Sequence, residues 1–302
     1  MSLRTPYRIL LIAAAASALA LPPSAAAAAE SGSYITIDVP GAASTIAVGV
    51  NDLGTVTGFY TDASGIDHGF IDSRGTFTTV DVPGAAQTLA TCMNDLGVLT
   101  GYDLDSNGAA HGFIDRGGRF TPVNVPGAGT GPGQGTFAAN VNNLGVLAGF
   151  YIDADGVQHG FIDRNGKFTT INVPGAGTAS DQGTTVGYIN DLGAVTGSYI
   201  TPDGDNIAIA GPLGRLVTIN DPSAPPFSTF AASLNDAGVI VGEWEDSSGI
   251  FHGFTDQAGN FTAVSDPEGA EGTAPEGINN TGVIVGFYTD SSAVNHGFEL
   301  TS

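Results

Sequence analysis

Residues 45–61 read TIAVGVNDLGTVTGFYT, and the fold is decided by this stretch. Short runs rich in Val, Ile, Thr and Phe flank Asn51-Asp52-Leu53-Gly54 on both sides. Asn and Asp start tight turns, and Gly accepts the positive φ that ends a hairpin loop, so the stretch reads as two antiparallel strands. The same turn returns as Asn94-Asp95-Leu96-Gly97, Asn142-Asn143-Leu144-Gly145, Asn190-Asp191-Leu192-Gly193, Asn235-Asp236-Ala237-Gly238 and Asn279-Asn280-Thr281-Gly282. The Asn-to-Asn steps are 43, 48, 48, 45 and 44 residues. Self-similarity at a period of about 45 residues marks a repeat architecture.

Each unit reads as four short strands, a to d. In the first unit these are expected near residues 46–50, 55–60, 68–72 and 77–82. The a–b and c–d turns are tight, and the b–c and d–a connections are longer. Four antiparallel strands per unit of this length is the signature of a propeller blade. The segment from Tyr34 to Pro40 matches Phe77 to Pro83 and reads as a lone strand d, whereas the last unit lacks one. The expectation is therefore an all-β, six-bladed β-propeller of four-stranded blades, its ring closed by the N-terminal strand completing the last blade. An open solenoid is the alternative, and it would not need complementary ends.

Arg4 and Arg8 precede an apolar run from Ile9 to Leu21 and an alanine run at Ala25–Ala29. This order is that of a cleavable signal peptide over residues 1–29, leaving residues 30–302 as a single domain that is secreted or periplasmic. The run is too short and Ala-rich for a membrane anchor, and nothing later reaches transmembrane length. Cys92 is the one cysteine, so no disulfide within the chain can form, and its apolar neighbours mark it as a small buried hydrophobe. The net charge is −22, with 30 acidic and 8 basic residues. Such a surface repels nucleic acid and anionic membranes. A monomer is expected.

All five histidines fall in one recurring triplet: His68-Gly69-Phe70, His111-Gly112-Phe113, His159-Gly160-Phe161, His252-Gly253-Phe254 and His296-Gly297-Phe298. The fourth unit has Ile207 at the His position. These units resemble the bacterial extracellular repeat of the HAF type, named for His-Ala-Phe, with Gly here replacing Ala. The resemblance implies an exported repeat protein and carries over no catalytic residue. Histidines set one per blade lie too far apart to share a zinc ion, so a ring that bonds a neighbouring turn is the better reading.

Candidate binding residues come from departures and rings within the repeat. Asp103, Asp105 and Asn107 form the D-x-D-x-N-G start of a calcium loop, making Ca²⁺ the one cofactor candidate, against a reading of solvated turn carboxylates. Thr45, Thr88, Thr136, Thr184, Thr229 and Thr273 each precede the turn Asn by six residues, near one mouth of a central channel. Either they offer hydroxyls to a ligand or they bond the adjacent loop backbone. Tyr60, Tyr151, Tyr199, Trp244 and Tyr288 sit near the ends of the b strands, with Asp103 breaking the series. They read as stacking surfaces for sugar rings or as packing between blades.

All length variation lies in the d–a loops. Residues 127–135 and 175–183 are the two long ones, carrying Gln134, Asp181 and Gln182, and residues 223–228 carry Phe227. Function in a repeat protein sits where the repeat is broken, so this sector is the candidate site. Arg74, Arg116, Arg119, Arg164, Lys167 and Arg215 all lie in or beside c–d turns, on the opposite face. A phosphate, nucleic-acid or polyuronate ligand would need cations on the loop face. The leading expectation is thus a non-enzymatic module binding neutral glycan or protein. The alternatives are a hydrolase of neutral glycans, pairing Glu243 with Asp181 or Asp203, and a purely structural extracellular protein.

Overall fold

The computed structural model describes residues 32–301; the signal peptide expected over residues 1–29 lies outside the described residues. The described chain is all-β. A lone strand β1 (Ser33–Ile37) comes first, followed by the six units in order. Unit one is β2 (Ser44–Val50), β3 (Thr55–Thr61), β4 (Asp67–Ser73) and β5 (Phe77–Val80). Unit two is β6 (Gln87–Met93), β7 (Val98–Leu104), β8 (Ala110–Arg116) and β9 (Phe120–Val123). Unit three is β10 (Gly135–Val141), β11 (Val146–Ile152), β12 (Gln158–Arg164) and β13 (Lys167–Ile171). Unit four is β14 (Gly183–Ile189), β15 (Ala194–Ile200), β16 (Asn206–Pro212) and β17 (Val217–Ile219). Unit five is β18 (Thr229–Leu234), β19 (Val239–Glu245), β20 (Phe251–Gln257) and β21 (Asn260–Val264). Unit six is β22 (Thr273–Ile278), β23 (Ile284–Thr289) and β24 (Asn295–Thr301).

Within each unit consecutive strands pair antiparallel. Unit six takes its fourth strand from the start of the chain, with Ser33 opposite Thr301 and Ile37 opposite Gly297. Units two, three and four are joined into one larger sheet through single parallel contacts, Ala110 with Gly135 and Gln158 with Gly183. Those two glycines have φ of 117° and 120°, and a Cβ on either would strike the carbonyl of Ala110 or Gln158.

The repeated triplet divides its labour. Each Phe is buried: Phe70, Phe113, Phe161, Phe254 and Phe298 rank among the largest fully enclosed side chains. Four of them meet the first aromatic of the following strand edge-on, as Phe70 does Phe77 at 5.7 Å and Phe113 does Phe120 at 5.3 Å. The Gly lets the next unit approach: a Cβ at Gly69 would sit 3.1 Å from the Cβ of Ala90.

The turn asparagines form the other constant. Asn51 donates its side-chain amide to the carbonyl of Asn94 at 3.3 Å, and Asn94 does the same to Asn142 at 3.0 Å. The series continues from Asn142 to Asn190 at 3.0 Å, to Asn235 at 3.1 Å, and to Asn279 at 3.2 Å. Asn279 then donates to the Asn51 carbonyl at 2.9 Å, so the cycle returns to its first member. A second cycle runs beside it. The backbone N–H of Asp52 donates to Asp95 Oδ1, and the pattern passes through Asn143, Asp191, Asp236 and Asn280 back to Asp52. Asn143 and Asn280 each also bridge the carboxylates of both neighbours.

Asn142 is buried and its Oδ1 additionally accepts the N–H groups of Leu144 and Val146. An Asn142→Ala change leaves the Asn190 carbonyl and these two N–H groups without their partner. It is expected to cost about 2–3 kcal/mol in chemical denaturation. Leu144→Ala, at an exposed position of the same turn, is expected to cost less than about 0.5 kcal/mol.

Candidate functional site

Five of the six b–c connections are built on an Asp that caps its own turn, and unit four has Thr201 there. Asp105 Oδ1 accepts the N–H groups of Asn107 at 2.8 Å and Ala109 at 3.0 Å. Asp62, Asp153, Asp246 and Asp290 repeat this arrangement. The calcium-like run at Asp103, Asp105 and Asn107 is therefore one instance of a turn common to five units. Asp103 lies on β7 opposite His111, and burial holds its carboxyl above the usual range. Among the described residues no group of three or more His, Cys, Asp and Glu side chains is gathered for a metal ion.

The other oxygen of the turn Asp faces the repeated histidine. Asp153 Oδ2 is 3.1 Å from His159 Nε2, and Asp246 Oδ2 is 3.1 Å from His252 Nε2. On the far side of the ring, His68 Nδ1 meets Asp81 at 2.8 Å, His159 Nδ1 meets Asn172 at 2.9 Å, and His296 Nδ1 meets Asp38 at 2.9 Å. Burial works against protonating His296, but the carboxylates of Asp38 and Asp290 outweigh it and hold its pKa above the ordinary value.

Each of these rings also lies against the aromatic opposite it on strand b. Tyr60 stacks on His68 at 5.3 Å, Tyr151 on His159 at 4.8 Å, Tyr288 on His296 at 5.1 Å, and Trp244 on His252 at 4.1 Å with planes 20° apart. The series thus pairs with histidine within units and also packs between them: Tyr151 clusters with Val123 and Val125 of unit two, and Tyr288 with Val241 and Val264 of unit five. Tyr199, opposite Ile207, stands beside the long loop at Gly175. Tyr151 and Tyr288 are buried, while Tyr60, Tyr199 and Trp244 are half-buried. The unit-five pair is the most open with an aromatic partner, since the His252 side chain is 41% exposed.

Several loop residues have structural work instead. Thr136, Thr184 and Thr229 are buried, and their hydroxyls accept the N–H groups of Val125, Val173 and Asp221. The structure thus removes this ring from the ligand-facing set. Of the two readings the sequence left open for this ring, the hydroxyls follow the second and bond the backbone of the adjacent d–a connection. Gln134 spans its loop, accepting from Gly131 N–H and donating to the Ala154 carbonyl. Gln182 repeats this with Ala179 and Pro202. Asp181 is exposed at φ 64°. Phe227 is 48% exposed, at φ 65°. Its neighbour Ser228 accepts the N–H of Glu245 at 3.2 Å, which brings Phe227 to the same end of the sheet as the Trp244–His252 stack.

Glu243 does not join Asp181 or Asp203, which are exposed. It is buried at 3% exposure and lines an interior cavity together with Glu276, a residue the sequence reading passed over. Burial and the nearby Glu276 carboxylate push Glu243 well above the usual carboxylate range, and burial pushes Glu276 up to about 8. Cys92 lines the same cavity, accepts a hydrogen bond from Asn140 at 3.0 Å and is pushed up to about 11 by burial.

No family model matches the chain, and no curated protein matches it. Solved structures do. A lectin of Aleuria aurantia, described in complex with Fucα1-6GlcNAc, has a TM-score of 0.51 at 12% identity over 86% of this chain and 92% of that one. The AofleA protein of Arthrobotrys oligospora gives 0.53 at 12% identity, covering 92% of this chain and 90% of that one. A further structure of the Aleuria lectin, described as a six-bladed β-propeller with a novel fucose recognition mode, gives 0.52 at 11% identity over 85% and 91%. The chain has a β-propeller fold.

Raised carboxyl pKa values have a defined consequence for stability. Between the unfolded value of 4.5 and the folded value of about 8, Glu276 binds its proton more tightly in the native state. Its contribution is complete below 4.5 and is lost as pH rises through about 8. His296 acts in the same direction at its own pKa, whereas the turn carboxylates held low by N–H donors act only in acid. The melting temperature is expected to fall from pH 5 to pH 9, and Glu276→Gln is expected to flatten that fall, both read by calorimetric scans.

Proposed function

We propose that this chain is an exported, six-bladed propeller that binds neutral glycans without chemistry, on the face formed by its b–c and d–a loops. Closure of six blades into one ring is supported by the pairing of β1 with β24 and by the return of the turn hydrogen bonds from Asn279 to Asn51. Export is supported by the basic, apolar and alanine-rich order of residues 1–29 and by the resemblance of the His-Gly-Phe triplets to an extracellular repeat.

One observation carries the binding site. In unit five a half-buried Trp244 stacks on an open His252, whose Nε2 faces Asp246, beside the exposed Phe227. A flat apolar surface next to a donor and a carboxylate is the chemistry that a sugar ring requires: stacking for its C–H face, hydrogen bonds for its hydroxyls. The same stack recurs with the half-buried Tyr60 on His68, a weaker version of the site, whereas Tyr151 and Tyr288 are buried. The loop face carries no Lys or Arg, so uronates and phosphates are excluded there while uncharged sugars are not. The propellers it is similar to are described with fucosides, which makes methyl α-L-fucoside the first probe.

Trp244→Ala and Phe227→Ala are each expected to weaken binding of a neutral glycan by about tenfold or more on a glycan array followed by titration. Failure of every neutral glycan to bind, or binding that survives both changes, would overturn the assignment.

A further inference from the structure

Aligned on the turn Asn, the units place Phe59, Tyr102, Phe150, Ser198, Glu243 and Phe287 at one position on strand b. Four units bury an aromatic ring there, and those rings pack into one apolar cluster with Ile46, Leu89, Phe137 and Ala274. Units four and five break the rule inward, with a hydroxyl and a carboxylate. A second inward position, three residues before the Asn, holds Val48, Thr91, Ala139, Gly187, Ala232 and Glu276. Only unit six has a charge there.

Both exceptions open on the same cavity, of about 90 Å³, walled by residues from the first strands of all six units. Its other walls include Phe150, Phe230, Val48 and Ala231, with Thr185 and Ser198 bonded to each other at 3.1 Å. Glu243 Oε2 is fully enclosed and meets no hydrogen-bond partner. Burying a carboxylate in this way is costly, and no fold requirement calls for it, because sister units fill the position with an aromatic ring. No Lys or Arg lines the cavity. Toward the turn mouth a second cavity, sharing Cys92 and Tyr188 in its walls, is rimmed by Asp52, Asp95, Asp191 and Asp236. That rim is tied up in hydrogen bonds of its own and serves to draw cations inward.

We propose that the axial cavity binds a small organic cation, a primary ammonium on an apolar body. The ammonium is held between Glu243 and Glu276, and the body rests on Phe150, Phe230 and Val48. A hard divalent metal seeks six or more oxygen ligands, and two carboxylates among apolar walls do not supply them. The site is separate from the loop face, so it stands or falls independently of glycan binding.

The test is calorimetric titration of the full chain with n-butylammonium, at pH 9 and pH 6, with CaCl₂ and KCl as parallel probes. One saturable site is expected, at least tenfold tighter at pH 9, where the acid pair is freer to give up its proton. Glu243→Gln and Glu276→Gln should each weaken it tenfold or more. Glu243→Phe, which restores the ring of the sister units, should abolish it while raising the melting temperature. Binding of the glycan probe should be unchanged in all three variants. No saturable binding at either pH, binding indifferent to the Gln variants, or tighter binding of Ca²⁺ or K⁺ than of the amine would overturn the proposal.

Discussion

The amide of one asparagine per unit is the contact on which the rest depends. It closes its own hairpin through one or two N–H groups and reaches the backbone carbonyl of the next hairpin. A four-stranded sheet alone buries one face poorly, so each unit needs a neighbour at a fixed angle. The asparagine cycle fixes that angle at the innermost strand, and the second cycle of Asp and Asn side chains doubles it. The buried phenylalanine and the small glycine of each triplet then complete the contact between sheets.

This division leaves the two faces unequal. Residues at the tight turns are spent on the cycle, and the basic residues among the described ones sit outside it at the c–d turns. The opposite face is free of that duty. There the d–a loops change length, and the long ones are held by paired devices, Gln134 and Gln182, that bond loop to b–c turn in the same way. Stacks of aromatic on histidine stand between those loops on rigid strand ends. A loop face of this kind tolerates variation because the cycle below does not depend on it.

The repeat, its four strands and the pairing of the first strand with the last unit were legible because every unit states them again. Histidine was also read correctly as bonding neighbouring turns, since Ile207 shows that the position tolerates an apolar side chain. The threonines were placed correctly along the chain, and their direction stayed open between a ligand and the adjacent backbone, because spacing gives the location of a side chain and not which way its hydroxyl points. Gln134 and Gln182 carried a usable signal: the same residue at the same offset in two loops marks a shared structural device rather than a unique contact. Glu243 and Glu276 carried another. Loop lengths drew the reading outward, whereas comparison of inward positions across units exposes both carboxylates at once.

The closed ring is the claim most directly open to measurement, through native-state hydrogen exchange of the backbone amides in β1 and β24. If the first strand completes the last unit, the amides of β1 that pair with β24 exchange as slowly as those of the β4–β5 pair in unit one. Exchange of β1 at the rate of a free strand, with β24 unprotected along that edge, would contradict it.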